Sequence, residues 1–121
     1  MKFLYLCNLI YNPIQMAQTI KTYKEFYPFY LSEHENPVNR LLHFIGTFLV
    51  FICLFMAVYT GKYLYIFLIP IVGYGFAWIG HFVFEKNKPA TFQYPFWSLI
   101  SDFKMFFQII GGKISINPSK H

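Results

Sequence analysis

Charge is the scarcest property of this chain. Asp, Glu, Lys and Arg make up 12% of its 121 residues, about half the share of an ordinary soluble domain. Residues 41–60 and 63–84, runs of 20 and 22, carry no formal charge at all. The two cysteines, Cys7 and Cys53, form no CxxC pair, which excludes a disulfide scaffold and a thioredoxin-type redox motif. There is no Gly-rich phosphate loop and no G-x-S-x-G elbow, so the usual nucleotide-binding and serine-hydrolase signatures are missing. No basic, Gly-rich or low-complexity segment is present, which argues against nucleic acid as a partner. Arginine occurs once, at Arg40.

Apolar residues, by contrast, reach 56% and aromatic residues 23%. A single domain, residues 1–121, is too small to bury that much apolar surface in a soluble core, whereas a lipid bilayer can cover it. Residues 1–11 hold a lysine beside a short apolar stretch but show no small-residue cleavage site, so they read as part of the mature chain. Each uncharged run is long enough to cross a bilayer core as a helix, and only Gly61-Lys62 separates them. So short a break turns the second helix back antiparallel to the first. Lys2, Lys21, Lys24, Arg40, Lys86, Lys88, Lys104, Lys113 and Lys120 all lie on the side of this hairpin away from the turn, and Lys62 alone lies at it. The positive-inside rule then places both termini in the cytoplasm, with the basic residues against anionic headgroups. The membrane would be a bacterial inner membrane or the endoplasmic reticulum, according to source.

Asn12-Pro13 reads as a helix start that runs to about Tyr27, where Pro28 stops it. Met16, Ile20, Tyr23 and Tyr27 form its apolar stripe. Residues 29–35 then make a connector, and Asn36-Pro37 opens the first span. Pro70 is expected to kink the second span, and Gly73, Gly75 and Gly80 to let it bend or approach the first. After Pro95, residues 96–110 form a third apolar helix about 22 Å long, short for a full crossing. Ser98, Ser101, Asp102, Lys104 and Gln108 share one arc of it. It therefore lies in the interface or leans on the hairpin with that arc inward. The expected fold class is all-α: an integral membrane helical hairpin of two spans with flanking amphipathic, interfacial helices.

His43 lies 18 residues before Gly61, and His81 lies 19 after Lys62. At about 1.5 Å of rise per residue, both rings sit roughly 27–29 Å from the turn, at one depth. Titratable residues this close to lipid are costly and point to function. His34 precedes the Asn36-Pro37 break, so the connector can fold it over the same end of the hairpin. Three imidazoles from separate segments make a candidate metal site, and imidazole with carboxylate suits Fe(II), Zn or Mn alike. Glu85, one turn after His81, is a candidate further ligand or support for that ring. Asn39, one turn before His43, is placed to orient the His43 ring. Arg40, at the entrance of the first span, is a candidate clamp for a lipid carboxylate. Two other readings stay open: a bis-histidine haem protein with His43 and His81 as the axial pair, and a membrane scaffold whose histidines are interfacial anchors.

The pattern H-x4-N-x3-H-x2-G-T over His34, Asn39, His43, Gly46 and Thr47, followed by G-H-x3-E-x3-P-A over Gly80, His81, Glu85, Pro89 and Ala90, resembles the signature blocks of the Mpo1-like family. The resemblance runs from about residue 30 to 111 and takes in Asp102 of the third helix as a supporting residue. It implies an Fe(II)-dependent dioxygenase that shortens 2-hydroxy fatty acids by one carbon, with His34, His43 and His81 as its catalytic, iron-binding residues. It also implies a lipid bilayer, a long-chain 2-hydroxy fatty acid and O2 as partners. Such an acid offers adjacent hydroxyl and carboxylate oxygens that can chelate one metal, while its tail stays in lipid. The chain is shorter than the fungal members of that family, which carry extra membrane helices.

Overall fold

The computed structural model describes residues 20–118, and these are all-helical, with no strand among them. Four helices follow in order: α1 (Tyr23–Ser32), α2 (Pro37–Thr60), α3 (Leu64–Ile79) and α4 (Pro95–Ile110). α3 continues directly into six residues of π-helix, Gly80–Glu85, and a 3-10 turn at Ala90–Phe92 leads into α4.

The hairpin forms as its sequence predicts. The Asn36 side chain caps α2 by accepting from Val38 N at 2.8 Å, and Pro37 takes the first helical position, where no N–H is needed. Gly61 ends the helix in the left-handed region, φ 70°, donating its N–H to Ala57 O at 2.9 Å. α2 has 24 residues and α3 with its π extension 22, and both are long and apolar enough to cross a membrane. Their outward faces leave Phe55, Val58, Tyr59, Leu64, Phe67 and Ile71 exposed. An apolar face of that extent suits lipid contact.

α3 runs unbroken through Pro70, and the departure from α geometry comes later, at Gly80–Glu85. The spans approach closely at Gly46, Gly73 and Gly80, and a Cβ on Gly73 would lie 3.3 Å from Val50 Cγ2. A Cβ on Gly46 would lie 3.1 Å from Phe76 Cβ, and a Cβ on Gly80 would collide with the Asn39 side chain. Gly75, expected to share this role, faces open space. The Gly80–Asn39 contact brings the helices together at the level of the histidines.

α1 differs from its sequence reading. The proposed start at Asn12-Pro13 lies outside the described residues. Thr22 caps the helix, accepting from Glu25 N at 3.3 Å, and the helix continues through Pro28 to Ser32. Pro28 cannot donate to the carbonyl of Lys24, but both residues face solvent, where water can satisfy that oxygen. The buried face is Phe26, Tyr27 and Tyr30, packed on Met105 of α4 and on Ala90. That burial outweighs the proline. α4 takes the leaning arrangement: Ser98 and Ser101 are buried, and Lys104 remains exposed with its ammonium 4.1 Å from the Tyr27 ring centroid.

The packing predicts opposite outcomes for two glycines on one helical run. Gly80→Ala should destabilise the folded protein by about 1–3 kcal/mol through the clash with Asn39. Gly75→Ala, with nothing near its Cβ, should be neutral or slightly stabilising. Thermal unfolding in detergent measures both, and equal melting temperatures for the two variants would contradict the packing described.

Candidate metal centre

Three segments bring His34, His43 and His81 to one point. His34 follows α1, its N–H donating to Leu31 O at 3.0 Å. His43 lies in the second turn of α2, and His81 lies in the π segment. All three are buried, at 1%, 6% and 1% exposure. Their ligating nitrogens lie within 4.8 Å of one another. Nε2 of His34 is 3.1 Å from Nε2 of His43 and 3.0 Å from Nε2 of His81.

The outer nitrogens decide the state of the inner ones. His34 Nδ1 faces the carbonyl of Tyr30 at 2.6 Å, which can only accept, so Nδ1 carries the proton. His81 Nδ1 faces Oδ1 of Asn87 at 2.7 Å. Asn87 Nδ2 is turned the other way, donating to Glu33 O and to Glu33 Oε2 at 2.6 Å, which identifies Oδ1 as the atom facing the ring. His43 Nδ1 faces Asp102 Oδ1 at 3.4 Å. With a proton on each Nδ1, each neutral ring presents a bare lone pair at Nε2. Burial, together with the neighbouring His43 and His81 rings, holds His34 well below the usual imidazole range, so a proton is a poor bridge. Three converging lone pairs in a buried site form a donor set for a cation, and imidazoles held by outer acceptors are the usual arrangement of metal ligands. The residues present therefore fit a metal ion; the donor set does not single out iron.

The other expected site residues fall around this cluster. Asp102 stands beside His43 and also accepts from the Tyr30 hydroxyl. Burial pushes its carboxyl up to about 6, and the Tyr30 hydrogen bond acts in the opposite direction. Glu85 is not brought to the imidazoles. Its Oε1 accepts from Asn36 N at 2.8 Å and Asn39 Nδ2 at 3.1 Å, which ties the end of the π segment to the start of α2. Asn39 accordingly orients Glu85 and not the His43 ring. The spacing that suggested the Glu85 role assumed α geometry through that residue, and the π segment breaks that assumption; Asn39 lies in unbroken α-helix, but its amide is taken by Glu85. Arg40 is buried, its Nε donating to His34 O at 3.0 Å and its Nη1 to Ser115 O at 2.7 Å. In this placement it braces the His34 segment from behind. Sequence reasoning missed Tyr30 and Asn87. Asn87 sits inside the second motif block, and its potential as a ring acceptor was the available signal.

A cavity of about 340 Å³ opens beside the cluster between α2, α3 and α4. His43, Asp102 and Thr47 line its polar end, and Val50, Ile69, Leu99 and Phe103 line the rest. From His43 to Val50 it descends roughly 10 Å along α2.

Comparison with known proteins gives one match. The family model described as 2-hydroxy-palmitic acid dioxygenase Mpo1-like covers residues 20–114. No curated protein and no solved structure matches the chain.

Replacing any one of His34, His43 or His81 by Ala should remove most bound metal from purified protein, measured by elemental analysis, while far-UV circular dichroism stays helical. Asn87→Leu should weaken metal affinity about 10–100-fold by freeing the outer nitrogen of His81. Glu85→Gln should leave the metal content close to that of the parent.

Proposed function

The chain belongs to the Mpo1-like family, and from that premise we propose that it is a metal-dependent dioxygenase. It would convert a long-chain 2-hydroxy fatty acid into the acid one carbon shorter, at a membrane surface. The observation that carries this reading is the buried set of three imidazoles with their outer nitrogens engaged and their Nε2 atoms turned inward. His34, His43 and His81 would hold the metal, with Fe(II) the assignment favoured by the family description. Bound there, the metal would supply the redox chemistry with O2 that no side chain provides.

The chain's own residues then have separable tasks. Asp102 and the Tyr30 carbonyl hold the rings of His43 and His34 in one tautomer. The polar end of the cavity, at His43, Asp102 and Thr47, would receive the hydroxyl and carboxylate head. Its apolar remainder, from Val50 to Phe103, would take the first part of the tail and exclude water from the head. Arg40, expected as a clamp for the carboxylate, already serves two backbone carbonyls, so any effect on substrate would come with an effect on the His34 segment. The overall reaction balances with one O2: C2 becomes the new carboxyl carbon, C1 leaves as carbon dioxide, and water is the other product.

A haem reading is less well supported. The His43 and His81 ring centroids are 4.9 Å apart, and His34 packs against both, which leaves no plane for a macrocycle between them.

Reconstituted, iron-loaded protein given O2 and a panel of 2-hydroxy acids should yield the chain-shortened acids by mass spectrometry. Plain fatty acids of the same length should react poorly, because they lack the second head-group oxygen. Absence of shortened product from every 2-hydroxy acid would overturn the enzyme reading.

For topology we propose two spans with the imidazole end cytoplasmic, on the strength of the Lys and Arg asymmetry. Lys62→Cys and Lys113→Cys should label from opposite sides of sealed vesicles. Labelling from one side would contradict the hairpin.

A further inference from the structure

Tyr30 touches the cluster in three ways. Its carbonyl accepts from His34 Nδ1 at 2.6 Å. Its ring lies against the His34 ring, centroids 4.1 Å apart. Its hydroxyl donates to Asp102 Oδ1, the same oxygen that faces His43 Nδ1 at 3.4 Å. The residue is 1% exposed and sits in the last turns of α1, the one helix outside the hairpin and α4.

We propose that Tyr30 is a positioning residue that sets two of the three imidazoles together, His34 through its carbonyl and His43 through Asp102. The proposal rests on the metal-centre reading above. Its physical basis is that one oxygen of Asp102 is shared. With the Tyr30 O–H in place, the carboxylate is held in one rotamer and its acceptor lone pair is aimed at His43. Without it, the partly buried carboxylate loses its only direct hydroxyl partner among the described contacts and can turn away from the ring. The α1 helix thereby couples to α2 across the centre. α1 is itself locked to α4 by the Phe26 and Met105 packing, so the register of α1 is transmitted to both rings.

Tyr27 provides an internal control. It lies on the same helix and also donates a largely buried hydroxyl hydrogen bond, but its partner is Gln108, away from the imidazoles. The probe is Co(II), titrated against a competing chelator into otherwise native protein, with the ligand-field absorption spectrum recorded. Tyr30→Phe should weaken Co(II) affinity about tenfold or more and alter the spectrum. Tyr27→Phe should leave both unchanged, although a loss of general stability would move both variants alike. Asp102→Asn should reproduce the Tyr30→Phe effect, and the double variant should be little weaker than either single one, since both act on one contact. If Tyr30→Phe does not accumulate folded, Asp102→Asn carries the same prediction with Tyr30 intact.

Co(II) binding by Tyr30→Phe with parental affinity and spectrum would overturn the proposal. So would fully additive losses in the double variant. Failure of the parent itself to bind Co(II) through imidazole would instead remove the metal-centre reading, which is a separate result.

Discussion

Everything in the polar half of this protein answers to one electrostatic constraint: three buried imidazoles whose lone pairs converge, with His34 Nε2 about 3 Å from Nε2 of both His43 and His81. Such an arrangement is repulsive by itself. A cation would offset it, and each ring must be prevented from turning its protonated nitrogen inward. The second condition is visible in the fold. The end of α1 supplies a carbonyl, the loop after the π segment supplies an amide oxygen, and α4 supplies a carboxylate. Each acceptor comes from a different element, so the centre and the tertiary structure specify each other.

The apolar half has the length and composition to suit lipid in place of water. Two helices of mean hydropathy 2.5 and 1.8 carry wide exposed faces of Phe, Val, Ile and Tyr, with few buried residues between them. Helices without a water-driven reason to associate need close backbone approach, and Gly46 and Gly80 provide it. The Gly80 contact is also what draws the His81 turn onto Asn39 and the start of α2. The same small residue thus serves helix packing and the geometry of the centre.

Much of this was legible in the sequence. The two uncharged runs around Gly61-Lys62 gave the hairpin, because helical rise is constant and length alone tests a span. The equal depth of His43 and His81 followed from counting residues to the turn, and Asn36-Pro37 returned His34 because a cap and a proline mark a helix start locally. The polar arc of α4 was readable from helical periodicity; its Ser98 and Ser101 are buried and Asp102 meets His43, while Lys104 at its edge stays exposed. What escaped was set by non-local packing or by departures from ideal geometry. Pro28 should end a helix on propensity, but burial of Phe26 and Tyr30 against Met105 carries α1 past it. The π turn at Gly80–Glu85 shifts every side chain after His81, so spacing pointed to Glu85 where the structure uses Asn87. The Tyr30 carbonyl is invisible to any residue-type argument, since every residue carries one.

The central claim is that the three Nε2 atoms converge to hold one cation. X-ray absorption at the metal edge of iron-loaded protein in membranes tests it most directly. The account predicts a first shell containing three imidazole nitrogens, with the outer-ring scattering of histidine, a signal lost with most of the bound iron in the His81→Ala variant. A first shell of oxygens without imidazole scattering, or one unchanged by that substitution, would contradict it.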